Sequence, residues 1–137
     1  MPDLPGPPDG DAEPQQGVPA GEVYDWYHRG RDLLDAGDAA AAALLLARAL
    51  EAEPDARSIR EALARAQFDA GRYTEARHSF AAIVDADPAD HYAQFGLGLS
   101  AARLDDLAEA ATHLVIASSL RPDIAHYAEA LRQVRAT

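Results

Sequence analysis

Three prolines recur at a constant spacing of 34 residues, and this period constrains the fold more than any other feature of the chain. They are Pro54, Pro88 and Pro122. Proline lacks the backbone N–H that a helix interior needs and clashes with the preceding turn, so each one indicates the end of a helix. The spacing therefore predicts a structural unit of 34 residues that is repeated along the chain.

A second set of helix-ending residues lies midway between the prolines. Gly37, Gly71 and Asp105 occupy one offset in successive units. Glycine, and to a lesser degree aspartate, tolerates the left-handed conformation in which many helices end. Each unit is therefore predicted to contain two helices of about four turns. Aspartates that follow the prolines are expected to cap the first helix of the next unit, and these are Asp55, Asp90 and Asp123.

The period and the residues at its key positions resemble the tetratricopeptide repeat family, whose unit is a helix–turn–helix of 34 residues. In the first repeat, Trp26, Gly30 and Leu33 stand at the family's Trp, Gly and Tyr positions. The other two first helices carry related residues, and the second helices carry the family's small and bulky ones. These further matches are Leu63, Ala64, Leu97, Gly98, Ala42, Leu46, Ala49, Ala76, Phe80, Ala110, Leu114 and Ala117.

The resemblance implies an all-α fold, namely a right-handed α-solenoid of three helix–turn–helix repeats (six helices) with a seventh capping helix. The repeats are expected at about 23–56, 57–90 and 91–124, within a domain of residues 22–137. The capping helix is expected at 124–136. Its Leu131 would dock on repeat three, while Arg132 and Arg135 would face water, as the open end of a solenoid requires.

Small residues at matching offsets indicate close contacts between helices. Gly30 and Gly98 recur in the first helices, and the bulky Leu46 and Leu114 lie in the second helices. We expect the bulky side chains to interlock with the small positions. Gly96, two residues before Gly98, is interpreted in the same way and not as part of a cofactor-binding loop.

Residues 1–21 differ in composition from the rest of the chain. They are rich in proline and glycine, carry Asp3, Asp9, Asp11 and Glu13, and contain no basic residue. Such a segment buries too little apolar surface to offset the entropy lost on ordering it. It is predicted to be a disordered acidic tail.

Charge and composition exclude several classes of function. The formal net charge of −11 disfavours binding to nucleic acid, and the absence of cysteine excludes disulfides and thiolate metal sites. The start of the chain lacks the features of a signal peptide, and no apolar run approaches the about 20 residues of a membrane span. A cytoplasmic protein is expected. Abundant alanine and arginine without lysine indicate a GC-rich bacterial genome.

The family resemblance implies that the first helix of each repeat lines a concave groove. In repeats one and two this places Tyr24, Tyr27, Arg31, Glu61 and Arg65 on the groove. Aromatic and arginine side chains dominate binding interfaces because they bury large areas and, for arginine, donate several hydrogen bonds. A partner polypeptide segment with apolar and acidic side chains is therefore the predicted ligand.

Repeat three supplies the other wall of the predicted groove. The corresponding positions hold Tyr92, Phe95, Leu99 and Arg103. Tyr92 and Phe95 are the principal candidates for partner contacts, because other residues already account for several core positions of this repeat.

Packing roles compete with binding at some of these positions. Tyr24 is as compatible with covering the end of the core as with partner contact, and Phe68 is better explained as a core residue. Two of the groove arginines have an aspartate four residues later, which allows exposed ion pairs of about 0.3–0.5 kcal/mol. These pairs are Arg31–Asp35 and Arg65–Asp69.

A protein–protein interaction module, acting as an adaptor or assembly factor, is the leading functional hypothesis. The alternatives are a self-associating homodimer, a tail that lies in its own or a neighbour's groove, and a non-catalytic regulatory subunit of an enzyme. No catalytic, metal or cofactor site is expected, because the five histidines follow no ligand spacing and no phosphate-binding loop or nucleophile elbow is present. The family's carboxylate clamp for chaperone C-termini uses lysine and asparagine, and the chain has neither.

Overall fold

A computed structural model describes residues 4–7 and 21–137 of the chain. Within these residues the backbone forms seven α-helices and no β-strand. The helices are α1 (Glu22–Asp35), α2 (Ala39–Ala52), α3 (Arg57–Asp69), α4 (Tyr73–Ala86), α5 (His91–Arg103), α6 (Leu107–Leu120) and α7 (Ala125–Arg135). The predicted all-α helical repeat fold is confirmed, with each of the seven expected helices present.

The turns inside the repeats have the predicted backbone conformation. Gly37 has φ 89°, Gly71 has φ 80° and Asp105 has φ 63°. Asp105 is the one non-glycine residue of the described part that adopts a positive φ. All three follow the end of a first helix. The residue at this offset therefore ends the first helix of every repeat in a positive-φ conformation.

The predicted caps after the prolines are confirmed in one case of three. Asp90 accepts a hydrogen bond from the backbone N–H of Ala93 at 3.0 Å and caps α5. Helices α3 and α7 instead begin after Ala56 and Ile124, whose side chains cannot accept a hydrogen bond. Since a cap must directly precede the helix, Asp55 and Asp123 lie one residue too early.

Two compact units divide the described chain, unit 1 up to Arg72 and unit 2 comprising Tyr73–Thr137. In unit 1, α2 packs against both α1 and α3, and α1 also contacts α3. A Cβ atom added to Gly30 of α1 would lie 2.7 Å from Cγ of Leu46 in α2. The two helices therefore approach closely enough to require a glycine, as the sequence predicted.

Unit 2 repeats this packing around α5. Helices α4 and α6 both contact α5, and α7 packs against α6. A Cβ on Gly98 would lie 2.8 Å from Cγ of Leu114, and a Cβ on Gly96 would overlap the ring of Phe80. Leu131 of α7 is buried, whereas Arg132 and Arg135 are exposed, which confirms the predicted orientation of the capping helix.

Residues 4–7, which belong to the predicted tail, lie against unit 1. We call them the Leu4–Pro7 segment. Leu4 is only 2% exposed, Pro5 is exposed, and Gly6 and Pro7 are half-buried. The prediction of disorder for residues 1–3 and 8–20 falls outside the described residues.

Candidate functional site

Helices α1 and α3 border an open depression on unit 1, which we call the α1–α3 groove. It encloses about 330 Å³ of space that opens to solvent. Four of its residues stand at positions that the family resemblance assigned to a concave surface, namely Tyr27, Arg31, Glu61 and Arg65. The lining residues of the helices are Tyr27, Arg31, Leu34, Ser58, Glu61, Ala62 and Arg65, and Pro7 of the Leu4–Pro7 segment completes them.

On the α1 side of the groove, the buried ring of Tyr27 contacts the guanidinium of Arg31. Tyr27 is 2% exposed. The Nη1 of Arg31 donates to the Tyr27 hydroxyl at 3.4 Å, and the guanidinium carbon lies 5.6 Å from the centre of the tyrosine ring. Tyr27 therefore forms the floor of the groove and orients Arg31, whereas the exposed ring of Tyr24 lies over His28 at 4.2 Å between centroids.

The α3 side of the groove is dominated by Arg65. Its Nη2 lies 3.8 Å from Oδ1 of Asp35, and its side chain is 20% exposed. This ion pair joins α3 to α1, whereas the sequence suggested pairs within each helix. The buried Nε of Arg65 has no hydrogen-bond partner among the described residues. Because burying an unsatisfied donor is unfavourable, Arg65 retains capacity for an acceptor.

The Leu4–Pro7 segment contacts both ends of this α3 surface. The backbone N–H of Leu4 donates to Oδ1 of Asp69 at 2.8 Å. The backbone of Gly6 lies beside the Arg65 guanidinium, where an added Cβ would be 3.2 Å from Nη1. Together with Pro7 in the groove wall, these contacts place the segment against α3 beside the α1–α3 groove.

In unit 2, Tyr92 and Phe95 lie in the core and not on an exposed wall. Each is 3% exposed. The ring of Phe95 stacks on that of Tyr127 in α7 at 4.6 Å, and Tyr92 meets the ring of Phe80 edge-on at 6.1 Å. This corrects the expectation of open groove contacts. The physical reason is that the capping helix contributes an aromatic ring of its own, which completes the cluster.

The other two predicted residues of α5 are partly accessible. Leu99 and Arg103 are both half-buried. The guanidinium of Arg103 lies over the ring of Tyr73 at 6.0 Å, a cation–π contact within unit 2. The structure thus brings Tyr27, Arg31, Glu61 and Arg65 together on unit 1.

A polar network fixes α7 within unit 2. The Nδ1 of His91 is 2.8 Å from the hydroxyl of Tyr127, and the Nη1 of Arg121 is 3.3 Å from His91 Nε2. Arg121 also donates two hydrogen bonds to the carboxylate of Asp123, at 2.9 and 3.0 Å. Those bonds lower the pKa of Asp123. Asp123, predicted as a helix cap, therefore positions an arginine instead.

A second network surrounds His113 of α6. Its Nδ1 lies 2.8 Å from Oε1 of Gln94, and its Nε2 is 3.9 Å from the carboxylate of Glu109. Gln94 Nε2 donates in turn to the carbonyl of Pro88 at 3.0 Å. Burial lowers the pKa of His113, and Glu109 partly opposes this effect. Since Oε1 only accepts, neutral His113 carries its proton on Nδ1.

The sequence allowed a tail lying in the groove as one alternative, but it did not identify Leu4 as the residue that docks. Leu4 is the one leucine among residues 1–21, and it precedes Pro5-Gly6-Pro7. An isolated leucine in an otherwise polar, proline-rich segment is the signal that pointed to a short docking element. The low overall hydrophobicity of the tail concealed it.

Two further features bear on the kind of site. Within residues 4–7 and 21–137, no group of three or more His, Asp or Glu side chains is placed to hold a metal ion. None of the described helices has both the length and the apolar character needed to cross a lipid bilayer.

Comparison with known proteins identifies the family. The chain matches the model of the tetratricopeptide repeat over residues 27–91 and 61–117, which together span more than half of its length. The chain belongs to the tetratricopeptide repeat family. Repeats of this family form protein-interaction folds that are generally non-catalytic, and the chain is accordingly a protein-interaction module.

Solved tetratricopeptide repeat structures share the fold. A fragment of MamA from Desulfovibrio magneticus RS-1, residue 41 to the end, has a TM-score of 0.80 and 23% identity, covering 83% of this chain and 64% of that one. The chain therefore spans less than two thirds of that fragment. No curated protein matches the chain significantly.

Two structures of RPAP3 are also similar. The first tetratricopeptide domain of Spaghetti (RPAP3), bound to the HSP90 peptide SRMEEVD, has a TM-score of 0.79 and 17% identity, covering 89% of this chain and 97% of that one. The first such domain of human RPAP3 has a TM-score of 0.76 and 17% identity, covering 84% and 91%. At these identities the likeness concerns the fold alone.

Proposed function

We propose that the chain is an adaptor or assembly factor that holds a segment of a partner protein in the α1–α3 groove. The observation that carries this proposal is the Leu4–Pro7 segment, which lies along the α3 side of the groove with Pro7 in the groove wall, a buried leucine and a backbone hydrogen bond to Asp69. A surface that accommodates an extended stretch of its own chain has the shape and the hydrogen-bonding groups to accommodate another.

The side chains of the groove favour a partner segment with apolar and acidic character. Arg31 lies over Tyr27, and Arg65 has a buried Nε that still lacks an acceptor. A carboxylate or backbone carbonyl of a partner would supply that acceptor through a charge-assisted hydrogen bond. Glu61 and Asp69 offer acceptors for the partner's backbone N–H groups.

The comparison with RPAP3 supports a peptide ligand without naming it. The similar domain of Spaghetti (RPAP3) was solved with the HSP90 peptide SRMEEVD, which contains acidic residues. The present chain has no lysine or asparagine, so recognition here would depend on arginine. A non-catalytic role, a cytoplasmic location and a bacterial source remain the accompanying predictions.

Affinity purification of tagged full-length chain from its source organism, followed by quantitative mass spectrometry, tests the proposal. The groove variant is Arg31→Ala with Arg65→Ala. Its matched control replaces two exposed arginines, Arg29→Ala with Arg72→Ala. We expect the control variant to recover as much partner as the unmodified chain. The groove variant should recover at least about tenfold less partner, because truncating arginine hot spots weakens binding strongly.

Thermal melting followed by circular dichroism separates binding from folding. The control variant should melt within a few degrees of the unmodified chain, because surface substitutions change stability little. The groove variant should melt lower, because Arg65 is partly buried and pairs with Asp35. If the groove variant melts early, the affinity purification is repeated with Glu61→Lys as the second test. This substitution reverses a charge at the same surface, and its partner recovery is compared with that of the control variant. Equal partner recovery by a folded groove variant and by the control would refute the proposal.

A further inference from the structure

The Leu4–Pro7 segment lies along the α3 side of the groove that the proposed function assigns to a partner, with Pro7 in the groove wall and Gly6 beside Arg65. We infer that it is an intramolecular pseudo-ligand, and that a partner must displace it by presenting similar chemistry: a leucine-type anchor followed by an extended Pro-Gly stretch. This inference rests on the proposed function, because it names the ligand class and the regulation of the same groove.

Leu4 has the burial pattern of an anchor. It is 2% exposed, while the adjacent Pro5 is exposed. A single buried apolar residue beside exposed neighbours is typical of short segments that dock onto a preformed surface. Leu4 is therefore the residue of the segment that we assign as its anchor, while Gly6 and Pro7 lie beside the groove.

Backbone recognition makes the contact dependent on an extended chain. The N–H of Leu4 donates to the carboxylate of Asp69 at 2.8 Å. Pro5 and Pro7 have no N–H and restrict their own φ angles, so little conformational entropy is lost when the segment docks. A partner segment with a proline after its leucine would have the same advantage.

Gly6 adds a requirement for a small residue. A side chain at this position would bring a Cβ within 3.2 Å of Arg65 Nη1 and 3.5 Å of its guanidinium carbon. Glycine lets the backbone pass beside the cation. A bulkier residue two positions after the anchor would push Arg65 away from Asp35, its ion-pair partner across the groove.

Covalent attachment makes the segment an effective competitor. Residues 8–20 connect it to α1, and a short tether of this kind gives a local concentration in the millimolar range. A free peptide with a Kd of about 100 μM would then bind about tenfold more weakly to the unmodified chain than to a chain whose own segment is released.

Fluorescence anisotropy with a labelled peptide tests the inference on the full-length chain. The probe has the sequence of residues 1–10, MPDLPGPPDG. We expect it to bind Leu4→Asp at least tenfold more tightly than the unmodified chain. The matched control is Leu44→Asp, which changes a leucine of α2 that is 70% exposed, and should bind the probe as the unmodified chain does.

Two additional measurements test whether the probe binds at the same place as the Leu4–Pro7 segment. Adding Asp69→Ala to Leu4→Asp should weaken probe binding at least fivefold, because the acceptor for the leucine N–H is lost. A probe with aspartate in place of its leucine should not bind. Leu4→Ala serves as the releasing variant if Leu4→Asp proves unfolded by circular dichroism.

The outcomes distinguish this inference from the proposed function. Equal probe affinity for the unmodified chain and the Leu4 variants, or no binding to any of them, would overturn the pseudo-ligand. A dimer of the unmodified chain that becomes monomeric in Leu4→Asp, measured by light scattering, would instead assign the segment to a second copy and overturn intramolecular docking. The proposed function fails separately, through partner capture that is insensitive to Arg31 and Arg65.

Discussion

The backbone N–H of Leu4 donates a hydrogen bond to the side chain of Asp69, 65 residues later in the sequence, at 2.8 Å. Asp69 is the last residue of α3. The contact joins a proline-rich segment to the end of a repeat helix, and the same segment passes beside Arg65 of the α1–α3 groove.

This hydrogen bond should control how firmly the segment is held. Replacing Asp69 with alanine removes the acceptor, whereas Asp69→Asn retains an oxygen at the same place. Hydrogen bonds to charged groups contribute about 1.5–3 kcal/mol, so Asp69→Ala should increase hydrogen exchange at the Leu4 amide at least about tenfold. NMR exchange measurements on the full chain would check this, and equal exchange in all three proteins would contradict it.

Phe95 should behave as a core residue. Its ring is 3% exposed and stacks on Tyr127, so Phe95→Ala is expected to reduce the free energy of unfolding by about 3–5 kcal/mol. The control is Tyr24→Ala, at a ring that is 44% exposed, with an expected change within about 0.5 kcal/mol. Urea denaturation of both variants measures the difference. If Phe95→Ala were as stable as the unmodified chain, Phe95 would not be a core residue, and the sequence-based prediction of an exposed groove position would be supported.

Stability should fall with decreasing pH because of His113. Burial lowers the pKa of His113 in the folded state, so between that pKa and the unfolded value of about 6.5 the unfolded chain binds more protons. The free energy of unfolding therefore decreases as the pH falls from about 6.5 through the folded pKa. His113→Asn keeps a donor to Gln94 and cannot titrate.

Denaturation at pH 7.5 and at pH 5.5 tests this assignment. The loss of stability between the two should be smaller in His113→Asn than in the unmodified chain. His78→Asn, at an exposed histidine, should leave the loss unchanged. An identical pH dependence of the unmodified chain and His113→Asn would exclude His113 as its source.

Two neighbouring aspartates should respond to substitution in opposite directions. Asp105 has φ 63°, where an L-residue is strained by about 1 kcal/mol, so Asp105→Gly should be neutral to stabilising by up to about 1 kcal/mol. Asp106 accepts from the backbone N–H of Glu109 and caps α6, so Asp106→Ala should lose about 1 kcal/mol. Thermal melting would reveal the opposite signs, and a shared sign would contradict the turn geometry.

Gly30 should tolerate no side chain while Leu46 is present. A Cβ would lie 2.7 Å from Leu46 Cγ, and such overpacking destabilises by about 1–3 kcal/mol, more than the gain of about 1 kcal/mol from replacing a helical glycine by alanine. In a Leu46→Ala background, Gly30→Ala should become neutral or stabilising. A double-mutant cycle measures the coupling, and additive effects would rule out the contact.

The repeat architecture was predictable because it depends on local signals. Proline and glycine act on the backbone of their own turn, so Gly37, Gly71 and Asp105 indicate helix ends without knowledge of distant residues. Small residues at fixed offsets, such as Gly30 and Gly98, likewise carry their packing role in the repeat period. A long binding groove lined by all three repeats remains a prediction from the family resemblance.

Accessibility was less predictable, because it depends on which distant side chains cover a residue. The family resemblance assigned the position of Phe95 to the groove, yet Tyr127 of the capping helix covers it here. The same holds for the Arg65–Asp35 ion pair, which spans two helices, where sequence spacing suggested pairs along one helix.

By itself the sequence determined seven helices, their turns and the membership of a protein-interaction family, since these follow from residues that act within one 34-residue period. The burial of Leu4 and the position of Pro7 in the wall of the α1–α3 groove depend on the tertiary structure. Docking of Leu4 requires a surface assembled from separate helices, and the first residues alone do not specify that surface.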